Sequence, residues 1–283
     1  MRKLNKRIAL LFALLLIPIM EPAQAVFNGD IQDKNSWVVA VTIKSGGKTL
    51  LCSGVLVETT TVMTGKHCVV DSKGVISSDI SINQPGANYY FPATPEMQQR
   101  RISKVVLVPT EPINKVPDAG DIAFLRFTEP FSNFSIPEVA TEEQLKSLKP
   151  WSIIKGYGYG ATGENGSIYS NQLRQYDLSW GNDDHNRVSN VVLIASASSI
   201  GCSGDSGGPI TAFLEDKREV LIGVASSIVN QGSNGCAQRD LNQLYFENFN
   251  LAYPYMIYKN LTLPATKKAP VKSKKKVVKS KKK

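Results

Sequence analysis

The sequence predicts an all-β fold, and three observations carry that reading. Short alternating or β-branched runs recur at 37–43, 50–57, 102–108, 122–127, 191–195 and 220–228. Clusters of Gly, Asn, Pro and Ser separate them, which is the punctuation of a β-sandwich or barrel. Long helical periodicity is nearly absent; it is confined to 141–148, where Thr141 ahead of Glu142 and Glu143 is a candidate cap, and to 251–261.

Along the chain, residues 1–25 form a leader. Arg2, Lys3, Lys6 and Arg7 precede an apolar run over 8–20, and Ala23, Gln24 and Ala25 make the small-x-small pattern that a signal peptidase reads. A membrane anchor is the competing reading, but the run is shorter than the ~20 residues a spanning helix needs. Without this signal peptide the chain still suffices for one large domain or two small ones, each with a core. A boundary falls between Glu129 and Pro150, where the pattern turns polar and proline-punctuated, so the expected regions are 26–140 and 141–262. From 263 to 283 the composition collapses to Lys, Ala, Pro, Val, Ser, Thr and one Leu, which predicts a disordered basic tail.

The formal charge of +9 belongs to the ends. Setting aside the ten tail lysines and the leader's net +3 leaves a body at −4. Long-range attraction would draw the tail to an anionic surface or polymer. It has no interleaved aromatics to stack bases, so specific nucleic-acid recognition is not expected. Four cysteines, Cys52, Cys68, Cys202 and Cys236, suggest two disulfides in an exported protein. Three pairings are open to them.

There are two histidines to serve as a general base. His185 lies in a polar stretch from Trp180 to Arg187 and reads as a solvated loop side chain. His67 lies in Thr64-Gly65-Lys66-His67-Cys68, after an apolar run and beside a cysteine that would pin the loop. Its candidate partner is the run Gly201-Cys202-Ser203-Gly204-Asp205-Ser206-Gly207-Gly208-Pro209. Glycines flanking one serine let the backbone approach a ligand closely. A phosphate cradle is excluded, because no Lys-Ser/Thr pair follows and no helix is evident after Pro209.

This run resembles the nucleophile loop of the chymotrypsin/trypsin-like serine proteases, and the resemblance holds in order along the chain. Thr64 to Cys68 is similar to the family's Thr-Ala-Ala-His-Cys, with Gly65 and Lys66 in place of the alanines. Gly120-Asp121-Ile122-Ala123-Phe124-Leu125 looks like its Asp-Ile-Ala-Leu-Leu strand; Asp118, the nearby competitor, follows Pro117 and has no apolar strand behind it. Gly156-Tyr157-Gly158 resembles its Gly-Trp-Gly turn, and 223–226 the segment whose serine supports the aspartate, here Ser226.

The resemblance implies two antiparallel six-stranded Greek-key barrels with a short C-terminal helix. It implies a secreted serine endopeptidase, extracellular or periplasmic and monomeric, that hydrolyses proteins or peptides through an acyl-enzyme. His67, Asp121 and Ser206 would be the triad, and the N–H groups of Gly204 and Ser206 the oxyanion hole. The disulfides it favours are Cys52–Cys68 and Cys202–Cys236. No metal or organic cofactor is required, and the loop after Asp71 shows no set of paired carboxylates for calcium. Cleavage after Ala25 would expose Val26, whose ammonium would pair with Asp205, with no separate zymogen step. Ile200, Gly201, Ser226, Ile228 and Gln243 would line the specificity pocket, with Ile200 where trypsin holds a charge-selecting aspartate and Ile228 and Gln243 narrowing it where glycines are usual. Lys or Arg would be left unpaired there, so small or medium uncharged side chains are expected. Ser227 replaces the tryptophan usual beside Ser226, which weakens one wall of the cleft. The rival reading is an inactive protease-like binding module with a polycationic tail, favoured only by that occluded pocket.

Overall fold

The computed structural model describes residues 29–32, 37–86, 99–109, 120–132, 134–162, 168–169, 171–180, 187–188, 191–196, 201–229 and 245–260. The leader, Val26, His185, Ile200, Cys236, Gln243 and the basic tail lie outside them.

The first strand, β1 (Asp30–Ile31), belongs to the second of two large sheets. The first sheet contains β2 (Val38–Ser45), β3 (Lys48–Glu58), β4 (Thr61–Thr64), β5 (Asp79–Asn83), β6 (Gln99–Arg101), β7 (Lys104–Leu107) and β8 (Ala123–Arg126). All its pairings are antiparallel, in the order β6-β5-β2-β3-β4-β8-β7. β6 and β7 stand at opposite ends of that order, yet only Ile102 and Ser103 separate them. The amides of those two residues donate to Ile80 at 3.0 Å and to Arg126 at 2.7 Å. One bent strand therefore touches both edges and curls the sheet onto itself, giving six strands when the two halves are counted together. Closure of this kind removes the exposed edges.

The second sheet has nine strands: β1, β9 (Glu138–Val139), β10 (Ile153–Gly158), β13 (Arg174–Ser179), β14 (Arg187–Val188), β15 (Val191–Ser196), β16 (Pro209–Phe213), β17 (Glu219–Val229) and β18 (Tyr245–Leu251). Its path runs β1-β13-β10-β16-β17-β18-β15-β14, with β13 also meeting β15 and β9 adding a parallel pair to β17. A small hairpin joins β11 (Ala161–Thr162) and β12 (Ile168–Tyr169). Because β1 and β9 pair into this sheet, the chain preceding residue 141 contributes to both sheets.

Burial follows the strand period. β13 alternates buried and open positions over Arg174–Ser179, as a one-faced strand must. Residues 38–43 of β2 are instead buried on both faces, which explains the continuous apolar run there. One core gathers Val39, Val55, Met63 and Phe124, and reaches Tyr157, Leu221 and Val224 of the second sheet. Trp37 meets Tyr157 edge-on at 5.3 Å between the two sheets. The second core holds Ile154, Tyr176, Ile210 and Phe249.

Three helical segments complete the described residues. A single turn, α1 (Lys66–Val69), follows β4. The candidate cap at Thr141 opens α2 (Glu142–Ser147), where Thr141 and Gln144 bond reciprocally in a capping box. The C-terminal pattern forms a 3-10 helix over Tyr253–Asn260.

Candidate active site

β4 ends at Thr64, and α1 follows it, with His67 exposed and Cys68 buried. Cys68 is bonded to Cys52 of β3, which ties that turn to the sheet. β8 pairs with β4 so that Ala123 lies opposite Thr64, and this register brings the preceding Asp121 alongside α1. His67 donates twice to the one carboxylate: its backbone N–H to Oδ1 at 2.8 Å, and Nδ1 to Oδ2 at 2.6 Å. Ser226 Oγ donates to the same Oδ2 at 2.6 Å. The β17–β18 register slips between Ala225 and Ser227, so Ser226 is the extra residue of a β-bulge, a device that re-aims a side chain.

Asp121 is 9 % exposed, and burial pushes its carboxyl up. The hydrogen bond and charge of His67, with the Ser226 bond, outweigh that and hold the carboxyl below its usual range. An ionised carboxylate only accepts, so Nδ1 carries the proton and Nε2 is the basic nitrogen of the neutral ring.

The facing wall is the loop over residues 201–208. Asp205 N–H donates to Cys202 at 2.9 Å and Gly208 N–H to Asp205 at 2.8 Å, which winds the loop tightly. The loop is also stitched to the first sheet. Ser53 N–H donates to the Ser206 carbonyl at 2.9 Å, and Ser53 Oγ to the Gly204 carbonyl at 2.9 Å. Gly207 has φ +77°, and a Cβ there would fall 2.1 Å from Thr64 Oγ1, so only glycine lets the loop lie against the His67 turn. Asp205 is buried beneath it. Its Oδ1 accepts from Gly160 N–H at 2.7 Å and its Oδ2 from Cys202 N–H at 2.8 Å, yet burial raises its carboxyl to about 7.

His67 and Ser206 line one cavity of about 470 Å³, whose walls also include Leu50–Cys52, residues 201–205 and residues 225–228. Gly201, Gly204, Ser226 and Ile228 are thus brought together with them, whereas the assignments to Ile200, Gln243 and Val26 fall outside the described residues. Cys202 is disulfide-bonded, and its expected partner, Cys236, also lies outside. Donor atoms of Cys52, His67 and Cys68 cluster within 4.8 Å. They are no metal site, because the disulfide consumes both sulfurs and metals take thiolate.

Sequence reasoning missed Ser53. It is fully buried, and besides its two bonds to the loop it accepts from Tyr159 N–H at 3.0 Å while its carbonyl accepts from Thr64 Oγ1 at 2.7 Å. A serine inside an apolar strand carries no pattern that marks it as a brace. Chemically, a carboxylate-aligned imidazole and a hydroxyl set among glycines on one cavity wall provide the groups for nucleophilic acyl transfer.

Comparison with known proteins agrees with that chemistry. The Trypsin family model matches residues 26–249. Chymotrypsin-like elastase family member 1 of Macaca fascicularis is 28% identical over 232 residues, covering 74% of this chain and 81% of its own. The human protein of that name is also 28% identical over 232 residues, covering 74% and 83%. Tissue-type plasminogen activator of Rattus norvegicus is 26% identical over 233 residues, covering 74% of this chain and 40% of its own. With the fold, the cavity and the family match in agreement, the chain belongs to the trypsin family and is a serine endopeptidase.

Proposed function

We propose that His67, Asp121 and Ser206 are the catalytic triad of an exported endopeptidase that cleaves proteins or peptides after small or medium uncharged residues. The observation that carries the reading is the Asp121 carboxylate, held by two donors of His67 and by Ser226 beside the cavity that Ser206 lines. Ser206 Oγ attacks the acyl carbon as Nε2 of His67 takes its proton. Asp121 keeps the ring in the Nδ1–H tautomer and stabilises the imidazolium. The N–H groups of Gly204 and Ser206 hold the oxyanion, each such donor supplying about 3 kcal/mol to the transition state. The imidazolium then returns the proton to the leaving amine, and water repeats the sequence on the acyl-enzyme.

Activation follows from export. Signal cleavage after Ala25 frees the Val26 ammonium, which pairs with Asp205. Support comes from the anchoring of the segment that follows it. β1 pairs with β13, and Arg174 Nη1 donates to the Gly29 carbonyl at 2.9 Å. Arg174 pairs on its other side with Gly158, two residues before the Gly160 amide that bonds Asp205. Three extended residues reach about 10 Å, about the width of the two strand spacings to be crossed. The ammonium would supply a counter-charge that Asp205 does not have among the described residues.

Selectivity is assigned to Gly201, Ser226 and Ile228, which line the cavity, together with Ile200 and Gln243. Ile228 narrows the entrance and provides no charge for Lys or Arg; the relatives named elastases favour the same direction. A substrate-library profile of the mature enzyme, with Ser206→Ala as control, tests activity and selectivity together. Cleavage before or after small aliphatic residues is distinguished by the product ends, and the expected result is Ala, Val or Ser on the acyl side. A dominant Lys/Arg preference would falsify the pocket assignment, and turnover by Ser206→Ala would remove the triad.

A further inference from the structure

We infer that Asn250 is a positioning residue for Asp121, holding the backbone that carries the carboxylate; this rests on reading Asp121 as the group that orients His67. Asn250 lies in β18 and is fully buried. Its Oδ1 accepts the Gly120 N–H at 3.1 Å, and since a backbone amide only donates, the facing atom is the carbonyl oxygen. Its buried Nδ2 has no hydrogen-bond partner among the described residues. Burying an amide half-satisfied is unfavourable, and a leucine of similar volume would pack there without that loss. The feature that leucine lacks is the oxygen facing Gly120.

Gly120 is where a holdfast matters. It has φ +76°, and its carbonyl accepts from Ile122 N–H at 2.8 Å in a tight turn around Asp121. Regular pairing of β8 with β4 and β7 begins only at Ala123, so Asp121 precedes the ladder that would otherwise fix its backbone. Asn250 pairs with Val224 of β17, two residues before Ser226. The second sheet therefore grips Asp121 twice, through Ser226 on the carboxylate and through Asn250 on the adjoining peptide. Both grips act on the geometry that keeps Oδ2 at 2.6 Å from His67 Nδ1.

The test compares mature wild type, Asn250→Leu and Asn250→Asp, with rates expressed per titrated acylable site so that misfolded protein does not count. Asn250→Leu is expected to lower kcat about tenfold with KM within twofold. It is also expected to shift the acid limb of kcat/KM to lower pH, because a loosened carboxylate stabilises the imidazolium less. Asn250→Asp retains an oxygen acceptor and is expected to keep kcat within about threefold of wild type. Combined with Ser226→Ala, the Asn250→Leu loss is expected to be less than multiplicative, since both act on one carboxylate. A wild-type kcat and acid limb in Asn250→Leu, an equal loss in Asn250→Asp, or fully multiplicative losses would each overturn the inference. Asp121→Asn separates the two levels. If it leaves kcat intact, the triad reading fails; if it cripples kcat while Asn250→Leu does not, only the brace fails.

Discussion

Asp121 and Asp205 are both buried carboxyls, yet their surroundings push them in opposite directions. Burial raises each, but Asp121 faces an imidazole and a hydroxyl and ends below its usual value, whereas Asp205 has two backbone amides and rises to about 7. The consequences for stability have opposite signs. Asp121 contributes stability above the unfolded value of 3.8, lost as pH falls through its lower folded value. Asp205 takes up its proton on folding between 3.8 and about 7, so stability falls as pH rises through that window. In leader-bearing Ser206→Ala protein, Tm is therefore expected to decline from pH 4 to 7, and Asp205→Asn to flatten the decline. Calorimetry across that range is the check, and an unchanged slope would refute the role of Asp205.

At the scale of elements, the site depends on short irregularities rather than on the strands themselves. The single turn α1 presents His67, the bulge in β17 presents Ser226, and the glycine-rich loop presents Ser206. Such pieces have few hydrogen bonds of their own and need external ties. The Cys52–Cys68 bond closes a separation of 16 residues and holds α1 against β3. Replacing both cysteines by serine is expected to cost about 3 kcal/mol of stability. It should also lower kcat more than KM, because the imidazole is freed while the walls at 201–205 and 225–228 remain. Denaturant unfolding and steady-state kinetics on the same preparation measure the two effects, and a double variant with intact kcat would show that β4 alone positions His67.

At the scale of the whole molecule, two sheets with partly merged cores carry different halves of the proposed triad and its support. His67 and Asp121 come from the first, Ser206 and Ser226 from the second. Amides, hydroxyls and glycine contacts between Ser53, Thr64 and the 201–208 loop hold the halves together. The basic tail stands apart from this machinery in sequence and charge. Removing residues 264–283 is expected to abolish retention of mature enzyme on an anionic matrix at low salt, with kcat/KM on a short neutral peptide unchanged. Undiminished retention would show that the body, despite its net −4, carries the binding.

The strand runs at 37–43, 50–57, 102–108, 122–127, 191–195 and 220–228 each coincide with an observed strand, because a short apolar, β-branched run between turn residues is a local signal that any window reveals. The cap at Thr141 was legible for the same reason, since a capping box spans only four residues. The proposal of His67, Asp121 and Ser206 rests on motifs rather than on local physics, as nothing local states that residues 54 and 85 positions apart would serve one site. Tertiary structure alone decided the rest: the bent β6–β7 strand that closes the first sheet, the pairing of β1 into the second, and the work of Ser53 and Asn250. Local sequence determines which backbone can form. A buried polar atom acquires its meaning only from the partner that long-range folding brings to it.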